Sequence, residues 1–409
     1  MKVAILSHAS GLHGAEYISF LLAKVFKKDF YVEVFLPKNG ALKEKLDTLG
    51  VRTRFIPMSW WVAPRIPFFS SSSPDILKNP FLFLTLSFSF LPFSVGIALR
   101  FLKDFDIVWS NSIVNPVGAF ASLILKKKHV WHIHEVWEDP NLFFPSKKIY
   151  DLAYNMSEKI VCVSNFVAKH FENKNPEKIK VVYNSIDEER ENILKKIYSK
   201  RIKALFGRQK KLKGDNQFLL GVIGKVSQNK NQIFAVKVIS ELRKSGENVR
   251  LLFFGDEDKL YKKRIEKLSH DLGVADYINF MGFKKIEEVY SSVDIVFIPS
   301  LVETSSLVAI ESMACGVPVI ALGYGALPET IGEETLIIKS NSNLSEKYEE
   351  REKDLLSRAV QTLRQLIQDK DLYREISIKM RERFEKIFSF HKFSQDIRSV
   401  VDSLLPDNR

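Results

Sequence analysis

Cysteine is almost missing from this chain. Cys162 and Cys315 are the only two, each inside an apolar run, so neither a disulfide framework nor a cysteine-based zinc site can be assembled, and a reducing compartment fits. No repeat of short period is visible, and 18 Gly with 15 Pro in 409 residues are too few for a collagen-like or low-complexity chain. Long apolar runs are equally scarce. The opening Met1-Lys2-Val3-Ala4-Ile5-Leu6-Ser7-His8 is too short in apolar residues for a signal-peptide core and reads as a buried strand, which makes a cytoplasmic chain the expectation. Residues 79–99 are uncharged over a length sufficient to span a bilayer. Pro92 interrupts them, Thr85, Ser87, Ser89 and Ser94 dilute them, and they fall where a crossover helix must join the third and fourth strands. A buried or membrane-surface helix is expected there instead of a span.

What is present is globular. Hydrophobic residues make up 45% and charged residues 27%, and 409 residues exceed what one ordinary core organises, so two or three domains are expected. Short apolar runs at 3–6, 31–36, 52–56, 107–109, 129–134, 160–163 and 179–183 alternate with segments of helical spacing. A second series runs through 218–223, 251–254, 278–281, 295–299, 317–321 and 336–338, which predicts two doubly wound α/β units in tandem. Residues after about 345 read as helical, with 392–405 as an amphipathic closing helix.

The formal net charge is +12, and the first 200 residues carry 27 basic against 19 acidic side chains, which suggests an anionic partner for that half. Nucleic acid, an acidic lipid surface and a phosphorylated substrate all satisfy it. Between the two series, Lys195, Lys196, Lys200, Arg201, Lys203, Arg208, Lys210, Lys211 and Lys213 occur with no acid before Asp215. A solvated helix and loop at the domain boundary is expected, ahead of a lipid or polyanion site. The run lacks interleaved aromatics and no nucleic-acid module is recognisable, which disfavours a nucleic-acid partner.

The densest chemistry lies in Ser300-Leu301-Val302-Glu303-Thr304-Ser305-Ser306-Leu307-Val308, continuing to Glu311, Gly316 and Pro318. A strand ends at Pro299, Thr304 to Ser306 offer capping side chains, and Gly316 terminates a helix that Pro318 cannot continue. The amides of Ser306, Leu307 and Val308 then form an anion site at the carboxyl edge of a sheet. Glu303 precedes the helix and Glu311 lies two turns in, an axial separation of about 10 Å, so one carboxylate is placed for a sugar hydroxyl and the other for a ribose. The bland alternative is a pair of solvated acids, but Glu311 is embedded among Leu307, Val308, Ala309, Ile310 and Met313.

This stretch resembles the Glu-x7-Glu signature of the retaining glycosyltransferases of family four, which build bacterial surface polysaccharides and glycolipids on a GT-B fold. Gly224-Lys225-Val-Ser-Gln-Asn-Lys230-Asn231 is similar to that family's diphosphate loop, with Lys225 where Arg is usual and Asn231 where Gly is common. Phe254-Gly255-Asp256, Gly282-Phe283, Tyr290 to Asp294 and Gly323-Tyr-Gly325-Ala-Leu-Pro328-Glu329 extend the likeness, as do Val163-Ser164-Asn165 and Tyr183-Asn184-Ser185. Ser10-Gly11-Leu-His13-Gly14 resembles the glycine loop beneath the donor, with His13 replacing a glycine, and Thr304-Ser305-Ser306 replaces the commoner Pro-Phe-Gly.

The resemblance implies two Rossmann-like α/β domains facing across a cleft, with the last helix crossing back. Residues 1–190 are the expected acceptor domain, completed by 391–409; 191–216 are a basic linker and 217–390 the donor domain. It implies that Lys225 and Lys230 hold the phosphates, that Gly11, Gly14, Gly282, Phe283, Ser306, Leu307, Val308 and Glu311 contribute to donor binding, and that Glu303 and His134 serve the reacting sugar. Alternation along Val130-Trp131-His132-Ile133-His134 sends both histidines to one face, so one is expected in the core. Two Asp-x-Asp triplets, at Asp104 and Asp106 and at Asp256 and Asp258, read as turn acids, so neither a metal nor another cofactor is expected. The substrates implied are a nucleoside-diphosphate sugar and a glycan or lipid-linked acceptor. Trp60, Trp61, Phe68, Phe69 and residues 79–99, with the local basic excess, point to peripheral contact with an anionic membrane; covering the first sheet is the competing use. A nucleotide-sugar hydrolase or epimerase, and a non-enzymatic basic binding protein, remain as alternatives.

Overall fold

The computed structural model describes residues 1–61, 80–136, 146–206, 217–340 and 348–405. Near-continuous apolar strands need cover on both faces, and the chain provides it with helices between successive parallel strands. Two compact units result, one formed by residues 1–184 and 393–409, the other by residues 185–392.

In the first unit the strands are β1 (Lys2–Ser7), β2 (Tyr31–Leu36), β3 (Arg52–Phe55), β4 (Ile107–Asn111), β5 (Lys128–Ile133), β6 (Lys159–Cys162) and β7 (Ile179–Val181). They form one sheet in the order β3-β2-β1-β4-β5-β6-β7, parallel throughout. The order reverses between β1 and β4, so their carboxyl ends open where ligands bind in such sheets. Each strand falls within three residues of the run that predicts it.

The second unit contains β8 (Phe218–Ile223), β9 (Val249–Phe254), β10 (Ile278–Gly282), β11 (Ile295–Ile298), β12 (Val319–Leu322) and β13 (Ile337–Ile338), ordered β10-β9-β8-β11-β12-β13 and again all parallel. Its reversal lies between β8 and β11. Helices Tyr348–Gln368 and Lys370–Arg383 follow, and the last helix is Phe390–Asp402. From Phe393 the chain belongs to the first unit again, where Arg398 pairs with Asp29 at 2.6 Å and Lys128 donates to the Leu404 carbonyl.

Two expectations change. Trp61 is not available to lipid: it is 3% exposed, stacks on Trp131 at 5.3 Å and donates its indole N–H to the Ile113 carbonyl at 2.6 Å. Phe68 and Phe69 lie outside the described residues, as does Asn79. The basic run is a helix with Lys195, Lys196, Lys200 and Lys203 exposed, as expected, but it is not a linker, because helix Glu188–Phe206 is part of the second unit and buries Leu194 and Ile197. Within it the Arg201 guanidinium donates to the carbonyls of Tyr290 and Val293 and to the Tyr373 hydroxyl, three acceptors that fix a charge expected in water. Arg208, Lys210, Lys211, Lys213 and Asp215 lie outside the described residues. As expected, residues 80–102 form the crossover helix Pro80–Leu102, with Val95, Ala98 and Leu102 in the core beside Phe35 and Val108. No helix among the described residues is long and apolar enough to cross a membrane.

Candidate functional site

The carboxyl ends of five strands of the second sheet, β8 to β12, carry the residues singled out in this unit. β11 ends at Ile298, and the chain turns through Glu303 before Ser306 caps the helix Leu307–Ala314, its hydroxyl accepting from the Ala309 N–H at 3.3 Å. A helix leaves its first amides without intrahelical partners, so those of Leu307 and Val308 are donors directed past the cap. The helix stops at Gly316, whose φ of 64° suits glycine and whose hydrogens face the Tyr198 ring: a Cβ there would sit 2.6 Å from it.

Opposite, the turn after β8 places Lys230 against Glu303, Nζ to Oε1 at 2.5 Å. The same turn is tied to the β11 loop by the Leu301 N–H donating to the Asn229 carbonyl at 3.0 Å. Asn231 has φ 53°, the left-handed region where asparagine is the best-tolerated substitute for glycine, which accounts for the departure at that position. Lys225 is exposed beside it. Glu303 is held by its own backbone: its carbonyl accepts from Ala326 at 2.7 Å, and a Cβ on Gly325 would lie 2.1 Å from that oxygen. Gly282 ends β10 with φ 64° and receives the Gly255 N–H on its carbonyl, leaving Phe283 as an outward ring, 78% exposed.

Glu311 has company that its sequence neighbours do not suggest. It is 8% exposed, one carboxylate oxygen accepts from Arg190 at 2.7 Å and the other from the Tyr290 hydroxyl at 2.9 Å. Burial raises its carboxyl above the ordinary range, and the Arg190 guanidinium pulls it back down. Arg190 comes from the helix Glu188–Phe206, 121 residues away, and nothing in its local pattern separates it from the acids beside it.

In the first unit, the glycine loop leads into helix Gly14–Phe26, with Gly14 at φ 40°. His134 follows β5, is 7% exposed, and its Nε2 lies 2.7 Å from Asn111 Oδ1. His132 is the core member of the pair: it is fully buried, its ring centroid is 4.5 Å from that of His134, and burial lowers its pKa to about 3. Ser112 adopts φ 106°, strained for a residue with a side chain, and its hydroxyl donates to Glu135. Neither Ser112 nor Glu135 carries a motif, but such strain gathers at functional edges. The Asp-x-Asp triplets have other uses: Asp106 accepts from the Lys2 N–H at 2.7 Å, and Asp258 caps helix Lys259–Asp271.

Comparison with known proteins covers most of the chain in two parts. Residues 14–190 match the model described as Glycosyltransferase Family 4, and residues 205–379 that described as Glycosyl transferases group 1. An uncharacterized glycosyltransferase of Methanocaldococcus jannaschii is 29% identical over 57% of this chain and 61% of its own length, so the likeness spans less than two thirds of that relative. Among solved structures, HepE of Anabaena in complex with UDP superposes with a TM-score of 0.72 at 19% identity, over 98% of this chain and 100% of that one. Sucrose-phosphate synthase of Thermosynechococcus elongatus follows at 0.68 and 16%, over 99% of both chains. At such identities the shared property is the fold.

Proposed function

Because this chain belongs to the glycosyl transferases group 1 and has the GT-B fold of two Rossmann-like units, we propose that it moves a sugar from a nucleoside-diphosphate donor to an acceptor hydroxyl, with retention. The observation that carries the reading is the gathering of Lys230, Glu303 and the Ser306-capped helix start on one sheet edge. HepE, of the same fold, has been solved with UDP and with UDP-glucose, which supports a nucleotide sugar as the donor here.

The departing diphosphate gains negative charge as the glycosidic bond breaks. Lys225, Lys230 and the amides of Leu307 and Val308 stabilise that charge from fixed positions, the work a divalent cation does elsewhere. Lys230 exchanges part of its contact with Glu303 for phosphate, and the Glu303 carboxylate then faces the sugar hydroxyls. Gly282 and Phe283 border the nucleotide, and Glu311 accepts from the ribose while keeping Arg190 and Tyr290. A phosphate oxygen of the leaving group takes the acceptor proton on the same face, which gives retention. His134, in the first unit, is assigned to the reacting sugar by the family resemblance alone.

The acceptor is proposed to be lipid-linked or a growing surface glycan. Phe90 and Phe93 are each 58% exposed on the helix Pro80–Leu102, and Leu123 and Ile124 are likewise exposed on the helix Val117–Leu125 that packs against it. Lys126 and Lys127 come directly after, a basic margin suited to an anionic leaflet.

Incubation of the purified protein with a panel of nucleotide sugars, with and without acceptor extract and in EDTA, tests the reading. Sugar transfer that needs acceptor and persists in EDTA is expected. Donor breakdown at the same rate without acceptor identifies a hydrolase, and strict dependence on manganese or magnesium removes the assignment of charge stabilisation to the lysines.

A further inference from the structure

The carboxyl ends of β4 and β5 and the helix Gly14–Phe26 share a chain of polar groups whose direction can be read from what each atom is able to donate. Asn111, the last residue of β4, is 1% exposed. Its Nδ2 donates to the Ala15 carbonyl at 2.5 Å and to Ser19 Oγ at 2.8 Å, both on the helix Gly14–Phe26. A carbonyl oxygen only accepts, so turning the amide over would set two carbonyl oxygens against each other at hydrogen-bond distance; the nitrogen end is therefore fixed toward the helix. Oδ1 then faces His134 Nε2 at 2.7 Å. An amide oxygen also only accepts, so the proton on this bond belongs to Nε2. Burial keeps the imidazole uncharged, and His132 on the same strand with His8 after β1 oppose any positive charge on it. A neutral ring protonated on Nε2 has Nδ1 bare.

We propose that Asn111 is a positioning residue that holds His134 in the Nε2–H tautomer, so that Nδ1 is an acceptor for a hydroxyl of the sugar substrate. The inference rests on the assignment of His134 to the reacting sugar. It adds the element that orients it: the amide is pinned by the helix that the Gly14 loop begins, so the loop and the histidine are set by one hydrogen-bond chain.

The tautomer is measurable without turnover. Full-length protein labelled with 15N-histidine gives long-range proton–nitrogen correlations, and the His134 signals are those lost in His134→Gln. At neutral pH a single Nε2–H form is expected. Asn111→Leu keeps the volume and removes the acceptor, and should produce a mixture of tautomers. In that variant kcat should fall at least about tenfold, with affinity for the bare nucleoside diphosphate unchanged. Asn111→Ala removes the same acceptor with a smaller side chain, and should neither variant fold the tautomer of the parent still decides. An Nδ1–H or doubly protonated His134 in the parent overturns the proposal, as does a leucine variant with the parental tautomer or the parental kcat. Absence of any nucleotide-sugar turnover in the parent would instead defeat the transferase reading, with the tautomer still open to measurement.

Discussion

Glu303 and Lys230 touch each other, and that contact sets opposite expectations for the two residues. Lys230→Ala removes a charge-assisted contact to phosphate and should weaken nucleoside-diphosphate binding by about 1.5–3 kcal/mol, measured by titration calorimetry. Glu303→Ala should lower turnover about a hundredfold or more while bare diphosphate binds as well or better, since the lysine no longer shares its charge. Parental turnover in Glu303→Ala would return that residue to the surface. Arg190 is tested through pH. The Glu311 carboxyl is already raised by burial and restrained by Arg190, so Arg190→Ala should raise it further. A carboxyl raised in the folded state binds protons more tightly there than when unfolded; its stability contribution is full below the ordinary carboxylate range and lost as pH climbs through the folded value. Thermal stability of Arg190→Ala relative to the parent should therefore fall from pH 5 to pH 8. A constant difference across that interval would show that Arg190 does not control the ionisation of Glu311. Glu303 and Ser306 were legible from sequence because cap, carboxylate and helix stop are neighbours in the chain. Arg190 and Asn111 were not, since their meaning comes from partners that only folding supplies.

At the scale of elements, most of the thirteen strands among the described residues were readable because a strand buried on both faces must be apolar for several consecutive residues, and β1, β11 and β12 are. Within the basic helix Glu188–Phe206, Arg201 misleads for the converse reason: charge predicts water, as it does correctly for the neighbouring lysines, but three fixed acceptors make a better partner for Arg201. Arg201→Ala would leave the carbonyls of Tyr290 and Val293 without their donor and should cost about 2–4 kcal/mol in denaturant melts. Lys200→Ala, one residue earlier and exposed, should change stability by less than about 0.5 kcal/mol. Equal effects would mean that the helix is held by its apolar side alone. Trp61 shows the same limit, since a paired tryptophan reads equally as a lipid anchor or as core until Trp131 is found stacked on it.

For the whole molecule, membrane docking depends on apolar and basic groups acting together from the first unit. Sedimentation with vesicles should show binding that is stronger on anionic than on neutral lipid and weakens with salt, each nearby lysine contributing about 1 kcal/mol. Joint replacement of Phe90, Phe93 and Ile124 by Ser should abolish it, and absence of the parent from both vesicle types would leave the acceptor in solution. The division of the chain has a different consequence. Residues 185–392 form one uninterrupted unit, whereas the other is assembled from 1–184 and the segment beginning at Phe393. That segment buries Phe393, Ile397, Val400 and Val401, so the first unit keeps an uncovered apolar surface until the whole of the second has been synthesised. On the ribosome the order of folding is therefore inverted with respect to the order of translation: the contiguous unit, made later, can complete first, and the unit begun first waits for the last stretch to be threaded back, needing protection from association in the interval.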